Sequence, residues 1–374
     1  MNSPFIFGKV ATGTSFINRK EEIKRLSDNF QNQLNSILIS PRRWGKSSLV
    51  KQTAYEVSKK NPGIRFCFLD FFRIRSEEEF YQKFAAEIIK STSTKFEEWI
   101  ADAKDFLGRV SPNITFGTDP VNDFQIGFNL SSRNFNAEDI LNLPEKIADK
   151  KNLNIVVCLD EFQNIGNFSE PLAFQKLLRS VWQYHQKTGY CLYGSKRHMM
   201  MELFENSSMP FYKFGDVMFL QKIAREHFVD FIVKSFSETE KSIEVDIAEK
   251  ITQHVDLHPY FVQQLAHVTW TNTTGKATEE IVDHSVNEMI DHNSMLYRQI
   301  VNGLSETQLN LLIAISKGET NLNAAGVLQK FALGTSGNVT KMKRTLQEKE
   351  IIDLSNGNIT FQDPVFRLWI LRMF

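Results

Sequence analysis

Gly45-Lys46-Ser47-Ser48 stands five residues after the apolar run Ile37-Leu38-Ile39, across Ser40-Pro41-Arg42-Arg43-Trp44. A short buried strand, a tight loop, Gly-Lys-Ser and then a helix is the order that binds a nucleotide's phosphates. Loop and first-turn N–H groups converge on one small space, and the helix dipole adds positive potential there. Lys46 is expected to reach the β- and γ-phosphates of ATP and the Ser47 hydroxyl to hold Mg²⁺, with Pro41, Arg42, Arg43, Trp44, Gly45 and Ser48 completing the cradle. Ser40 occupies the position where the G-x-x-x-x-G-K-[ST] pattern has its first glycine. If that position needs a positive φ, serine is strained there. A Gly-Lys-Ser triplet alone is only a common helix start; the strand before it gives it weight.

A second set of groups follows Asn154-Ile155-Val156-Val157-Cys158-Leu159, an apolar run that reads as a fully buried strand. It ends in Asp160 and Glu161, at the edge where open α/β sheets bind ligands. Asp160 would sit behind the Mg²⁺ and Glu161 would orient and polarise the attacking water. Ser195 ends another strand, Tyr190-Cys191-Leu192-Tyr193-Gly194, where a hydroxyl can meet the γ-phosphate or the water; Gly-Ser after a strand is also an ordinary turn. His258 would touch phosphates if a lid closes, or be a packed loop histidine. Cys67, Cys158 and Cys191 lie singly inside apolar runs, which excludes a Cys-x-x-Cys zinc site and fits a reducing compartment.

The elements that must position these groups come from 374 residues, too many for one ordinary core. The 44 basic and 44 acidic residues cancel, so no overall field steers the chain to nucleic acid or lipid. No signal peptide and no membrane span is read, and the expected location is cytoplasmic. Asn18 reads as the cap of a helix carrying Ile23, Leu26 and Phe30 on one face. The strand, helix and strand from Ile37 to Asp70 form a βαβ unit, so the sheet is parallel. Ser76 reads as a helix cap, and Pro144 should kink or divide a helical stretch from Ala137 to Lys150. Ile114-Thr115-Phe116 and Phe124 to Leu130, around Gly117-Thr118-Asp119-Pro120, predict a hairpin inserted near 110–132 as a lid or partner contact. The expected domains are a core over 1–220, a helical lid over 221–300 and a winged helix over 301–374.

Phe16-Ile17-Asn18-Arg19 with Glu22, the loop Pro41 to Leu49, Leu159-Asp160-Glu161-Phe162-Gln163, Gly194-Ser195, Pro210-Phe211-Tyr212, His258-Pro259-Tyr260 and Asp363 to Trp369 together resemble the archaeal-type P-loop ATPase family, close to the AAA+ and STAND groups. The resemblance implies an additional-strand P-loop core, a helical lid and a C-terminal winged helix. It places the Phe16 to Arg19 segment by the adenine and makes Ser195 a phosphate sensor. Lys213-Phe214 replaces the family's Gly-Arg, so an arginine expected near the γ-phosphate, or near a neighbouring subunit's nucleotide in an oligomer, is missing. Lys213 could substitute only as a point charge. Two readings stand: an ATP-hydrolysing switch coupled to the winged helix, or a nucleotide-binding regulator with little hydrolysis. In the third winged-domain helix, Val339, Met342 and Leu346 should pack inward while Thr340, Lys341 and Arg344 face outward towards DNA or a protein partner.

Overall fold

The computed structural model describes residues 2–93, 95–115, 124–133, 135–355 and 358–374. The chain forms two compact units: residues 19–40 with 46–221, and residues 1–18, 41–45 and 222–374.

The first unit contains α1 (Lys20–Gln31), β1 (Ser36–Ile39), α2 (Lys46–Lys60), β2 (Ile64–Asp70), α3 (Glu77–Thr92), α4 (Phe96–Leu107), β3 (Asn113–Thr115), β4 (Gln125–Gly127), α5 (Ala137–Leu141), α6 (Leu143–Lys151), β5 (Asn154–Asp160), α7 (Pro171–Trp182), β6 (Thr188–Gly194), α8 (Arg197–Glu205) and β7 (Asp216–Phe219). Five strands form one sheet in the order β2-β5-β6-β1-β7, every neighbouring pair parallel. β6 separates β1 from β5, which is the additional-strand arrangement that the family resemblance implies. All seven residues of β6 are buried, as continuous apolar runs in a covered parallel sheet must be. Ser76 caps α3 by accepting the Glu79 N–H, and the helical stretch divides at Asn142, ahead of Pro144. α1 is entered differently from expectation: its N-cap is Arg19, left-handed at φ 101°, and no side chain caps it. β3 pairs antiparallel with β4, and Phe124 and Ile126 are buried. Trp99 of α4 packs on Phe124, so the hairpin is anchored on the helical layer. Phe116 and the 117–120 turn lie outside the described residues.

The second unit contains α9 (Arg225–Ser237), α10 (Val245–His254), α11 (Pro259–Asn272), α12 (Glu279–Asn302), α13 (Glu306–Ser316), α14 (Ala325–Lys330), α15 (Ser336–Glu348), β8 (Ile352–Ser355), β9 (Asn358–Phe361) and α16 (Pro364–Met373). Here α12 runs without a break through residue 300, where the sequence put a boundary. Three helices and an antiparallel hairpin give the expected winged-helix order; the Asn356-Gly357 turn lies outside the described residues. α16 has no counterpart in the sequence analysis. Asp363 starts it by accepting the N–H groups of Val365 and Phe366, and Trp369 and Ile370 bury its inner face. Residues 1–18 belong to this unit, with Phe5 edge-on to Phe231. Among the described residues no helix is long and apolar enough to cross a membrane.

Candidate functional site

The carboxyl ends of β1, β5 and β6 bring the predicted chemical groups of the first unit together. Lys46, the first residue of α2, is buried and donates from Nζ to the Ser40 carbonyl at 3.2 Å. Ser40 has no positive φ, so the strain feared for a serine in place of glycine does not arise. The loop puts its left-handed residues at Arg43 (φ 64°) and Gly45 (φ 89°) instead. At the second residue of α2, Ser47 Oγ donates to Asp160 Oδ2 at 2.6 Å. Burial pushes the Asp160 carboxyl up to about 6, and the Glu161 charge adds to the push; the Ser47 hydrogen bond and the Lys46 charge pull against it. Two hard oxygen donors in contact, one a partly desolvated carboxylate, are a donor set that fits Mg²⁺ directly or through water.

Glu161 is left-handed, at φ 50° and ψ 42°, and so turns away from the line of β5. Its Oε2 accepts from Ser195 Oγ at 2.9 Å, from the Ser195 N–H at 3.4 Å and from Gln163 Nε2. The sequence analysis grouped Gln163 with the acidic motif but assigned it no role. It is 1% exposed, and its Oε1 is buried without a hydrogen-bond partner among the described residues. Such an orphaned acceptor costs about 1–3 kcal/mol. The available signal was an amide two residues after a strand's closing acid, in a turn that also carries Asn164 and Asn167.

Arg19 is buried, and burial lowers its pKa against the opposing pull of Glu22. Its Nη1 donates to Glu22 Oε1 at 2.9 Å and to the Gln221 carbonyl at 2.6 Å, so it ties the start of α1 to the residues after β7. Lys213-Phe214 lies elsewhere than the substitution idea requires. Phe214 precedes β7, its carbonyl accepts from Asn35 just before β1, and Asp216 pairs with Ser36. That is the amino end of the strands, on the order of 10 Å of strand away from the phosphate loop. Lys213 therefore does not stand in near this chain's own γ-phosphate.

The remaining predicted residues belong to the second unit. Arg42 pairs with Glu350 at 3.7 Å, and the Arg43 guanidinium lies 4.6 Å above the Tyr260 ring. Trp44 meets His258 edge-on at 6.2 Å, and His258 meets Phe261 at 4.9 Å. Burial depresses the His258 imidazole to about 3, with the Arg43 charge reinforcing it. Among the described residues neither ring nitrogen reaches a partner in good geometry, although the Arg42 backbone faces the ring. Of the two expectations for His258, this environment is that of the packed, neutral loop histidine. With three loop side chains turned onto these partners, the loop's own offering to an anion is its backbone N–H groups.

A parallel sheet with an inserted strand, Gly-Lys-Ser at a helix start and a serine–aspartate contact at the carboxyl edge define a P-loop nucleotide-binding core. The family model described as an ATPase domain predominantly from Archaea matches residues 16–265, and the chain belongs to that family. Residues 295–372 match a model described as a probable winged helix domain. No curated protein sequence matches the chain. Among solved structures, the Walker-type ATPase PABY2304 of Pyrococcus abyssi is similar at TM-score 0.67 and 15% identity, covering 98% of this chain and 99% of that one. The ORC2 protein of Aeropyrum pernix, in ADPNP–ADP complexes, is similar at TM-score 0.56 and 15% identity, with 99% and 95% covered. The ORC1 protein of the same organism, in complex with DNA, is similar at 0.51 and 10% identity, with 96% and 94% covered. At these identities the likeness is one of fold.

Proposed function

We propose that the chain binds and hydrolyses ATP with Mg²⁺, as a molecular switch that passes nucleotide state to its winged helix. The observation that carries this reading is the Ser47–Asp160 contact at 2.6 Å beside buried Lys46, with Glu161 on the next residue. Lys46 binds the β- and γ-phosphates; Ser47 and Asp160 hold the metal. Bound there, Mg²⁺ would neutralise charge developing on the phosphates. Glu161 orients the attacking water and Ser195 fixes the Glu161 carboxylate while facing the γ-phosphate. Arg19 borders the adenine, Pro41 to Gly45 and Ser48 line the phosphates through their backbone, and helices over 221–300 act as the lid.

A second reading, a nucleotide-binding regulator with little hydrolysis, is favoured by one observation. Lys213 lies by the amino ends of the strands, so it does not serve as the missing arginine within this chain. The partner reading is DNA or a protein at α15, through Lys341 and Arg344; the fold shared with a DNA-bound ORC1 structure supports the first.

Phosphate release, measured with and without duplex DNA, separates the readings. Lys46→Ala is expected to abolish nucleotide binding. Glu161→Gln is expected to keep binding and slow turnover at least tenfold, roughly 1.4 kcal/mol or more. A Glu161→Gln variant that turns over at the parent rate would remove Glu161 as the catalytic group.

A further inference from the structure

The geometry points to Gln163 as a positioning residue for Glu161, an inference that rests on the reading of Glu161 as the group that orients water. Gln163 Nε2 donates to Glu161 Oε2, the oxygen that also takes both Ser195 donors. All three donors fall on one oxygen, which fixes the carboxylate's rotation and presents its other oxygen to a reacting group.

Two features say that the amide is held in this orientation. Gln163 begins the second step of a 3-10 turn, Phe162–Asn167, whose Phe162 and Ile165 are buried in the core, so its backbone is anchored on both sides. On its far side lies Gly194. A Cβ there would stand 2.0 Å from Gln163 Oε1 and 2.7 Å from Met200 Sδ. Gly194 has no positive φ, so it is the space for the amide, not backbone conformation, that requires glycine at the end of β6. Turning the amide over would set its oxygen against the Glu161 carboxylate, two acceptors face to face. With Nε2 turned to Glu161, Oε1 faces Gly194 and is left without a partner among the described residues. A side chain kept for packing alone would do better as an apolar one of the same length, which has no acceptor to leave unpaired.

That contrast supplies the test. Gln163→Met fills nearly the same volume and removes both the donor and the orphaned oxygen. A positioning role predicts that kcat for ATP falls about tenfold while KM and nucleotide affinity stay within about twofold. It also predicts a thermal unfolding midpoint equal to or above the parent's. Gln163→Ala, a cavity variant, should lose both kcat and unfolding temperature. A Gln163→Met variant that turns over at the parent rate, while Glu161→Gln is slow, would overturn the positioning role and leave the Glu161 reading standing. Parent-rate turnover by Glu161→Gln, or absence of phosphate release from the parent, would overturn both.

Discussion

In the proposed site, burial works against the ionised form of Asp160. A carboxyl held near 6 by burial, against about 3.9 in an unfolded chain, costs about 3 kcal/mol when ionised in the fold. Its sign is opposite to that of a salt-bridged aspartate. Between pH 3.9 and 6 the folded state holds a proton that the unfolded state has released, so this group's contribution to stability falls as pH rises through that window. Asp160→Asn, which keeps an acceptor for Ser47 Oγ, is therefore expected to be more stable than the parent at pH 7.5 by up to about 3 kcal/mol. The gap should close as pH falls to about 4, while Mg²⁺-dependent nucleotide affinity is lost at every pH. Denaturant titrations at several pH values, with nucleotide binding measured in parallel, check both halves. On the proposed reading, stability is given up here for a charged metal ligand, the trade-off expected at a working site.

At the scale of elements, α15 illustrates how a helix can be right in form and equivocal in use. Val339, Met342 and Leu346 are its buried residues, so its apolar stripe is the one its spacing predicts. Thr340, Lys341 and Arg344 are exposed, and Arg344 Nε donates to Glu348 Oε1 at 2.9 Å one turn along. That pair is exposed and worth little in stability, but it neutralises half of the basic face. If the face contacts duplex DNA, changing Lys341 and Arg344 to Ala together should weaken binding and reduce the salt slope by about one or two. Glu348→Ala, which frees Arg344 and removes a negative charge, should strengthen it. Binding titrations across a salt series measure both; identical curves for all three proteins would exclude α15 as a DNA contact.

For the whole molecule, one buried group in each unit carries an acid response of opposite sign. His258, in the unit of residues 222–374, is held near 3 against about 6.5 unfolded, so its unfolded form takes up a proton that the fold refuses. Its contribution to stability is complete above about pH 6.5 and is lost as pH falls below that, by about 2 kcal/mol between pH 7 and pH 5. Asp160, in the other unit, contributes about 1 kcal/mol of gain over the same interval. Denaturant unfolding of the parent and of His258→Gln at pH 7 and pH 5 checks this: on acidification the parent should lose about 2 kcal/mol more stability than the variant.

Periodicity and neighbouring residues along the chain determined a good deal by themselves. The apolar run before Gly45-Lys46-Ser47, the buried strand ending in Asp160-Glu161 and the stripe on α15 each depend on residues within a few positions of one another. Burial and helix or strand repeat are legible at that range. Chain order also dictated a parallel sheet, because a βαβ crossover leaves no other direction. What only the tertiary structure decided involves partners far apart in sequence. Ser195 meets Glu161 from β6, 34 residues on, and Arg42 meets Glu350. Lys213 lands at the amino edge of the sheet because β7 pairs with β1 in a register no local pattern encodes. Gln163 is the instructive case, since its bond to Glu161 is local and yet was not read. An amide two residues after an acid carries no periodic signal, and its orientation is set by the space Gly194 leaves on the neighbouring strand. A repeat in sequence reports which face is buried; what it is buried against follows from strand order and packing.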